Sequence, residues 1–188
     1  MLEKIRQNKY IIFLVAGIVA LALAIYGFSS SLNTYYDYID NEYVSKSYKN
    51  QLLVDAIRNG LIMIAIIPFI IVGRNSKITK QALIASIIIY YAADTFDIVY
   101  DFIEYKNYSS MFYVVLNVII MIFAVMALSN NKYLFVTLVL LLIDTAFNLL
   151  SVFNGSAMGF AQFILCLLLM AGIYFYNTES VDNTNYYN

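Results

Sequence analysis

Six long apolar runs dominate this chain, and a run of that length leaves a backbone few choices. Residues 11–31 carry no charged side chain at all. A span of about 20 apolar residues is enough to cross the hydrocarbon of a bilayer. The runs lie near residues 10–29, 54–73, 81–102, 111–128, 133–152 and 157–176. In lipid every N–H and C=O must be satisfied within the spanning structure, which admits helices and closed barrels only. One proline and seven glycines in 188 residues leave the runs almost free of breakers. The expected fold is therefore all-α: a polytopic membrane protein, a bundle of six transmembrane helices occupying residues 1–176 as one domain. The polar, Asn-rich residues 177–188 are expected to form a mobile tail.

The first run follows Lys4, Arg6 and Lys9 and has the outline of a secretory signal. Its apolar stretch exceeds the roughly 7–15 residues of a signal core, so it reads as a retained helix. Basic residues orient the bundle. With the N-terminus inside, Lys4, Arg6, Lys9, Arg74, Lys77, Lys80 and Lys132 are cytoplasmic, against Lys46, Lys49, Arg58 and Lys106 outside. That bias places both termini in the cytoplasm of a cell-membrane protein, with residues 30–52 as a long outer loop. Ala93-Asp94-Thr95 and Ile143-Asp144-Thr145 lie fifty residues apart, each about thirteen beyond a basic boundary at Lys80 or Lys132. Three helical hairpins, two of them related, would give that pattern, and so would chance in a biased composition.

Composition removes several chemistries. The chain is 62% hydrophobic and 12% charged, where soluble domains are about 25% charged. Without histidine there is no Ser-His-Asp or Cys-His arrangement and no common zinc site. A single cysteine, Cys166, forms neither an internal disulfide nor a CxxC pair and reads as packing. A net charge of −1 gives nucleic acid nothing to bind. No cofactor is implied, and the residues leave open whether a metal is held.

Against this background the intramembrane polar residues stand out. Residues 82–105 carry Asp94, Asp97 and Asp101, three and four apart and so on one helical face. The fifth run carries Asp144 and, one turn later, Asn148. A carboxylate at a helix centre costs roughly 2.5–3.5 kcal/mol to insert. At 1.5 Å per residue, Asp94 and Asp144 both lie about 18 Å from the inner boundary, past the midplane. Arg58, Asn117, Asn148 and Gln162 fall in the same outer half, while the inner halves are almost purely apolar. The pattern predicts an outward-opening polar pocket built from Arg58, Asp94, Asp97, Asn117, Asp144, Asn148 and Gln162. Arg58 is its expected counter-charge, or alternatively the local partner of Asp55. Asp94 and Asp144, at equal depth, would share one site if their helices face each other. Excess carboxylate there is compensated either by protonation or by a bound cation.

Plainer roles fit the same residues. Asp97 and Asp101 suit a helix end wetted by headgroup water, Asp94 and Asp144 suit interhelical hydrogen bonds, and Asn117, Asn148 and Gln162 suit helix contacts. Ala16, Ala20 and Ala24 form a small-residue stripe that suits a contact inside the protein or with another one. The leading expectation is transport or binding of a cation, a proton or a small amine-bearing solute. The alternative is a non-catalytic partner subunit of a larger membrane complex, or of a homo-oligomer. An intramembrane aspartyl enzyme is disfavoured, since no Gly-x-Gly-Asp motif is present.

Two resemblances accompany these residues. The size, the six spans and the alanine stripe are similar to the substrate-binding subunits of energy-coupling-factor vitamin transporters, which implies ligand capture from the outer side. Arg58-Asn59-Gly60 followed by Ala93-Asp94 is similar to small DoxX-like membrane proteins, whose usual four spans would make spans five and six extra here.

Overall fold

The structure, a computed structural model, describes the backbone of residues 2–75, 79–153 and 157–185. Within the helices it leaves out the side chains of residues 2–10, 72–75, 109, 148, 150–153, 157–159, 161 and 177–185. Among the described residues the regular structure is entirely helical. The helices are α1 (Leu2–Tyr38), α2 (Lys46–Asn75), α3 (Lys80–Tyr105), α4 (Met111–Ser129), α5 (Lys132–Phe153) and α6 (Ala157–Asn185), with one 3-10 turn at Tyr108–Ser110. Four stretches are long and apolar enough to cross a membrane: Ile11–Tyr38 of α1, Lys46–Ile71 of α2, α3 and α4. The apolar part described in α6, Gln162–Tyr176, is shorter. Among the described residues the chain is thus helical with four membrane-span-like helices.

Two boundaries depart from the sequence expectation. The long loop at 30–52 shrinks to residues 39–45, because α1 runs on to Tyr38 and α2 starts at Lys46. No glycine or proline lies between Ser30 and Leu52, so polarity alone does not stop the helix. The turn forms where side chains supply it. Asn41 Oδ1 accepts from the Tyr43 amide at 2.9 Å, and Ser45 Oγ caps α2 by accepting from the Tyr48 amide at 3.2 Å. At the other end of the chain, α6 continues as helical backbone to Asn185. The tail expected at 177–188 thus begins as helix, and its side chains and residues 186–188 lie outside the described residues.

The helices close a ring in chain order. Each packs on its successor, α6 returns to α1, and α3 and α6 also meet across the ring. The core is largely apolar, but burial departs from that of a soluble bundle in an apolar exterior and a buried polar layer. Ile11, Val15, Ile18 and Ile25 of α1 and Val115, Ile119, Ile122 and Val125 of α4 are exposed, whereas Asn59, Ser86, Asp97, Asn117, Thr137, Asp144, Thr145 and Gln162 are buried. Lipid tails are as apolar as leucine, so contacts between such helices depend on close fit and polar bonds. The α1–α2 seam supplies the fit. Ala20 and Ala24 are wholly buried, and a Cβ added at Gly17 would stand 3.0 Å from Ile70 Cγ1. Most of the alanine stripe is therefore spent inside the protein.

Both ends of α3 have local caps. Thr79 caps α3 by accepting from the Ala82 amide at 3.2 Å, and Lys106 closes it in the left-handed conformation at φ 56°. Lys80 Nζ donates to the Leu128 carbonyl at 3.1 Å, meeting a terminal acceptor that α4 leaves open. Pro68 lies inside α2, which continues through it.

Candidate polar network and binding site

Asp94 is the hub of the buried polar layer. Its Oδ1 accepts from Arg58 Nη2 at 2.5 Å and from Gln162 Nε2 at 3.2 Å, and its Oδ2 accepts from Asn117 Nδ2 at 3.0 Å. The three donors come from α2, α6 and α4, so one carboxylate on α3 ties four helices. Helical spacing extends the pattern to Asp97, one turn along the same face. Arg58 spans the pair, with Nη1 lying 2.7 Å from Asp97 Oδ2. A planar guanidinium fork suits this bridging role better than a point-like ammonium. Among the described ion pairs Arg58 is thus committed to α3, and Asp55 is not its local partner.

Asp97 and Asp55 share a second donor. Gln51 Nε2 lies 3.1 Å from Asp97 Oδ1 and 3.3 Å from Asp55 Oδ1. Asp97 also interacts electrostatically with Asp55, Asp94 and Asp101, while the Arg58 guanidinium is in ion-pair contact with Asp94 and Asp97. Four polar atoms in this region are buried and lack a hydrogen-bond partner: Gln51 Oε1, Arg58 Nε, Asn59 Oδ1 and Thr95 Oγ1. Beside them a cavity of ≈ 320 Å³ opens between α1 and α2, where Tyr26, Ser30 and Ser31 face Asp55, Arg58 and Asn59.

Asp144 belongs to a different cluster. Its Oδ2 accepts from Tyr91 Oη at 2.8 Å and from Cys166 Sγ at 3.4 Å, and Cys166 in turn lies 3.7 Å from Tyr90 Oη. Asp94 and Asp144 therefore take separate sets of partners rather than sharing a proton face to face. Tyr90 is within electrostatic reach of both. Thr145, next along α5, turns its hydroxyl back to the Leu141 carbonyl at 2.6 Å.

Of the residues expected at the pocket, Arg58, Asp94, Asp97, Asn117 and Gln162 come together directly, and Asp144 stands apart with Tyr91 and Cys166. Asn148 lies on α5 with its side chain outside the described residues. Sequence reasoning did not place Gln51, which it assigned to the outer loop, nor Asn59, Tyr90 and Tyr91. The spacing of Gln51, Asp55 and Arg58, at four and three residues, is a helical signal that extends α2 upstream and could have found Gln51. Cys166, taken as packing, touches a carboxylate, and nothing in its apolar run FILCLLLM signals that contact. Among the described residues no group of three or more acidic or cysteine side chains converges as a metal site. Comparison with protein families, with curated proteins and with solved structures gives no match for this chain.

Proposed function

We propose that the protein is a six-span cell-membrane protein, with both termini cytoplasmic, that binds and carries a small cation or amine-bearing solute from the outer side. The observation behind this reading is the charge balance of the polar layer: Arg58 pairs with both Asp94 and Asp97, and Asp55 and Asp101 add two further carboxylates within electrostatic reach of Asp97. Low dielectric makes uncompensated carboxylate expensive, and a bound cation relieves it. A cavity reaching Asp55 and Arg58 gives such a cation a place to arrive. Length supports the two remaining spans. The 22 residues of α5 and the apolar residues 157–176 of α6 extend about 33 and 30 Å at 1.5 Å per residue, enough for a hydrocarbon core of about 30 Å.

The test is thermal unfolding of the purified full-length protein in detergent, with sodium, potassium, ammonium and methylammonium chlorides titrated at fixed ionic strength. At least one cation should raise the midpoint saturably, and Asp97→Asn should weaken that response at least tenfold. Midpoints that depend only on ionic strength, equally in both proteins, would remove the reading. The saturation of Asp94 by three protein donors favours a second one, a non-catalytic partner subunit in which the network only clamps the bundle. That reading expects clamp variants to lose stability while no cation moves the midpoint.

A further inference from the structure

We propose that the cavity between α1 and α2 recognises a small amino alcohol, its ammonium held on Asp55 and its hydroxyl held between Asn59 and Arg58. The inference rests on the cation reading above and gives that cation a chemical class. Asp94 is filled by Arg58, Asn117 and Gln162, and Asp97 by Arg58 and Gln51. Asp55 is the carboxylate that lines the cavity, and among the described contacts it accepts only from Gln51, at 3.3 Å, through Oδ1. An ammonium suits it for that reason, and the ring of Tyr26 on the facing wall adds a surface that favours cations.

The second group is specified by two atoms without partners. Asn59 is only 2% exposed, and its Oδ1 has no donor. Arg58 Nε is buried and has no acceptor. Both residues line the cavity. A hydroxyl can donate to the first and accept from the second, which an alkyl end or a bare metal ion cannot do. The terminal nitrogens of Arg58 are already opposed by Asp94 and Asp97, so its charge does not bar an ammonium nearby. Asp55 and Asn59 lie one turn apart on the same face, about 6 Å along the axis. That separation matches a chain of about four carbons between ammonium and hydroxyl. A volume of ≈ 320 Å³ sits at the small end of ligand sites, which run from about 300 to 1,000 Å³.

The experiment compares 4-amino-1-butanol with n-pentylamine, its isostere lacking the hydroxyl, and with 1,4-butanediol, which lacks the charge. All three are titrated against the full-length protein in detergent by thermal shift. The amino alcohol should act at a concentration at least fivefold lower than pentylamine, and the diol should have no effect. Asp55→Asn should weaken both amines at least tenfold. Asn59→Ala should abolish the difference between them while keeping the pentylamine response. Gly27→Leu fills the cavity wall without touching a polar contact, and should weaken both amines even if a polar variant fails to fold. Equal potency of the two amines on the wild type, or a preference surviving Asn59→Ala, overturns the assignment. If Gly27→Leu and Asp55→Asn behave as wild type while Asp97→Asn loses inorganic cation binding, the cation reading stands and this site falls. If no cation or amine acts at all, both fall.

Discussion

Replacing Asp94 by leucine tests the hub directly, because it removes the acceptor for three helices at once and leaves a side chain of similar size. The loss can be worked bond by bond. Arg58 keeps Asp97 at 2.7 Å, so its charge is not abandoned. Breaking one half of a buried pair costs about 3–5 kcal/mol when nothing compensates, and the surviving partner puts this case at or below about 3 kcal/mol. Asn117 and Gln162 each lose an acceptor. Polar bonds between membrane helices average about 0.6 kcal/mol, because the unfolded chain in a micelle also finds partners. The two amides therefore add about 1 kcal/mol. Asp94→Leu should destabilise by up to about 4 kcal/mol, with the charged bond as the larger part. Asp94→Asn retains one acceptor oxygen but forfeits the charge, and should fall between wild type and leucine. The assay is reversible unfolding in mixed detergent micelles, followed by far-ultraviolet circular dichroism. A double-mutant cycle with Asn117→Leu isolates one strand of the network and should return a coupling near 0.6 kcal/mol. An Asp94→Leu protein within 0.5 kcal/mol of wild type, a bound of the size expected for surface substitutions, would refute the hub.

Two other perturbations reach different parts of the molecule. Gly17→Val places a Cβ 3.0 Å from Ile70 Cγ1 and adds two methyls beyond it, so it should destabilise by about 1–3 kcal/mol through overpacking of the α1–α2 seam; unchanged stability in the same micelle assay would mean that the seam yields. For orientation, Tyr43→Cys, at a fully exposed position in the 39–45 turn, should react with an impermeant maleimide on intact cells. Asn131→Cys, in the α4–α5 turn, should react only after permeabilisation, with buried Cys166 silent in both. The opposite pattern would reverse the topology and turn the cavity inward.

The candidate site was legible in the sequence as a layer and illegible as a set of contacts. Arg58, Asp94 and Asp97 could be assigned to the same half of the bundle because each sits at a countable distance from a charged boundary, and the i, i+3 spacing of the two aspartates already implied one face. Their partners could not be read. Gln162 lies 68 positions from Asp94, and its bond exists because α6 crosses to α3 inside the ring. Asp144 shows the same limit from the other side. Its count from a basic boundary matches that of Asp94, yet it looks to Tyr91 and Cys166.

What the chain alone determined was helix and depth. Lipid forces every backbone bond inside the segment, so apolar length selects helix, and a constant rise turns residue number into height. The helix ends within polar stretches were less determined, since α1 and α2 continue through Ser30, Asn33 and Gln51 until Asn41 and Ser45 supply a turn and a cap. The rotation of each helix about its axis, and the identity of its neighbours, were left to the tertiary structure. In water an apolar stripe points to the core and fixes rotation. These helices are apolar on nearly every face, so burying one face rather than another gains little. The rotation is settled instead by the few polar atoms that need partners and by the few small residues that allow close approach. Asp94 decides it for α2, α3, α4 and α6, and Gly17, Ala20 and Ala24 decide it for α1 against α2.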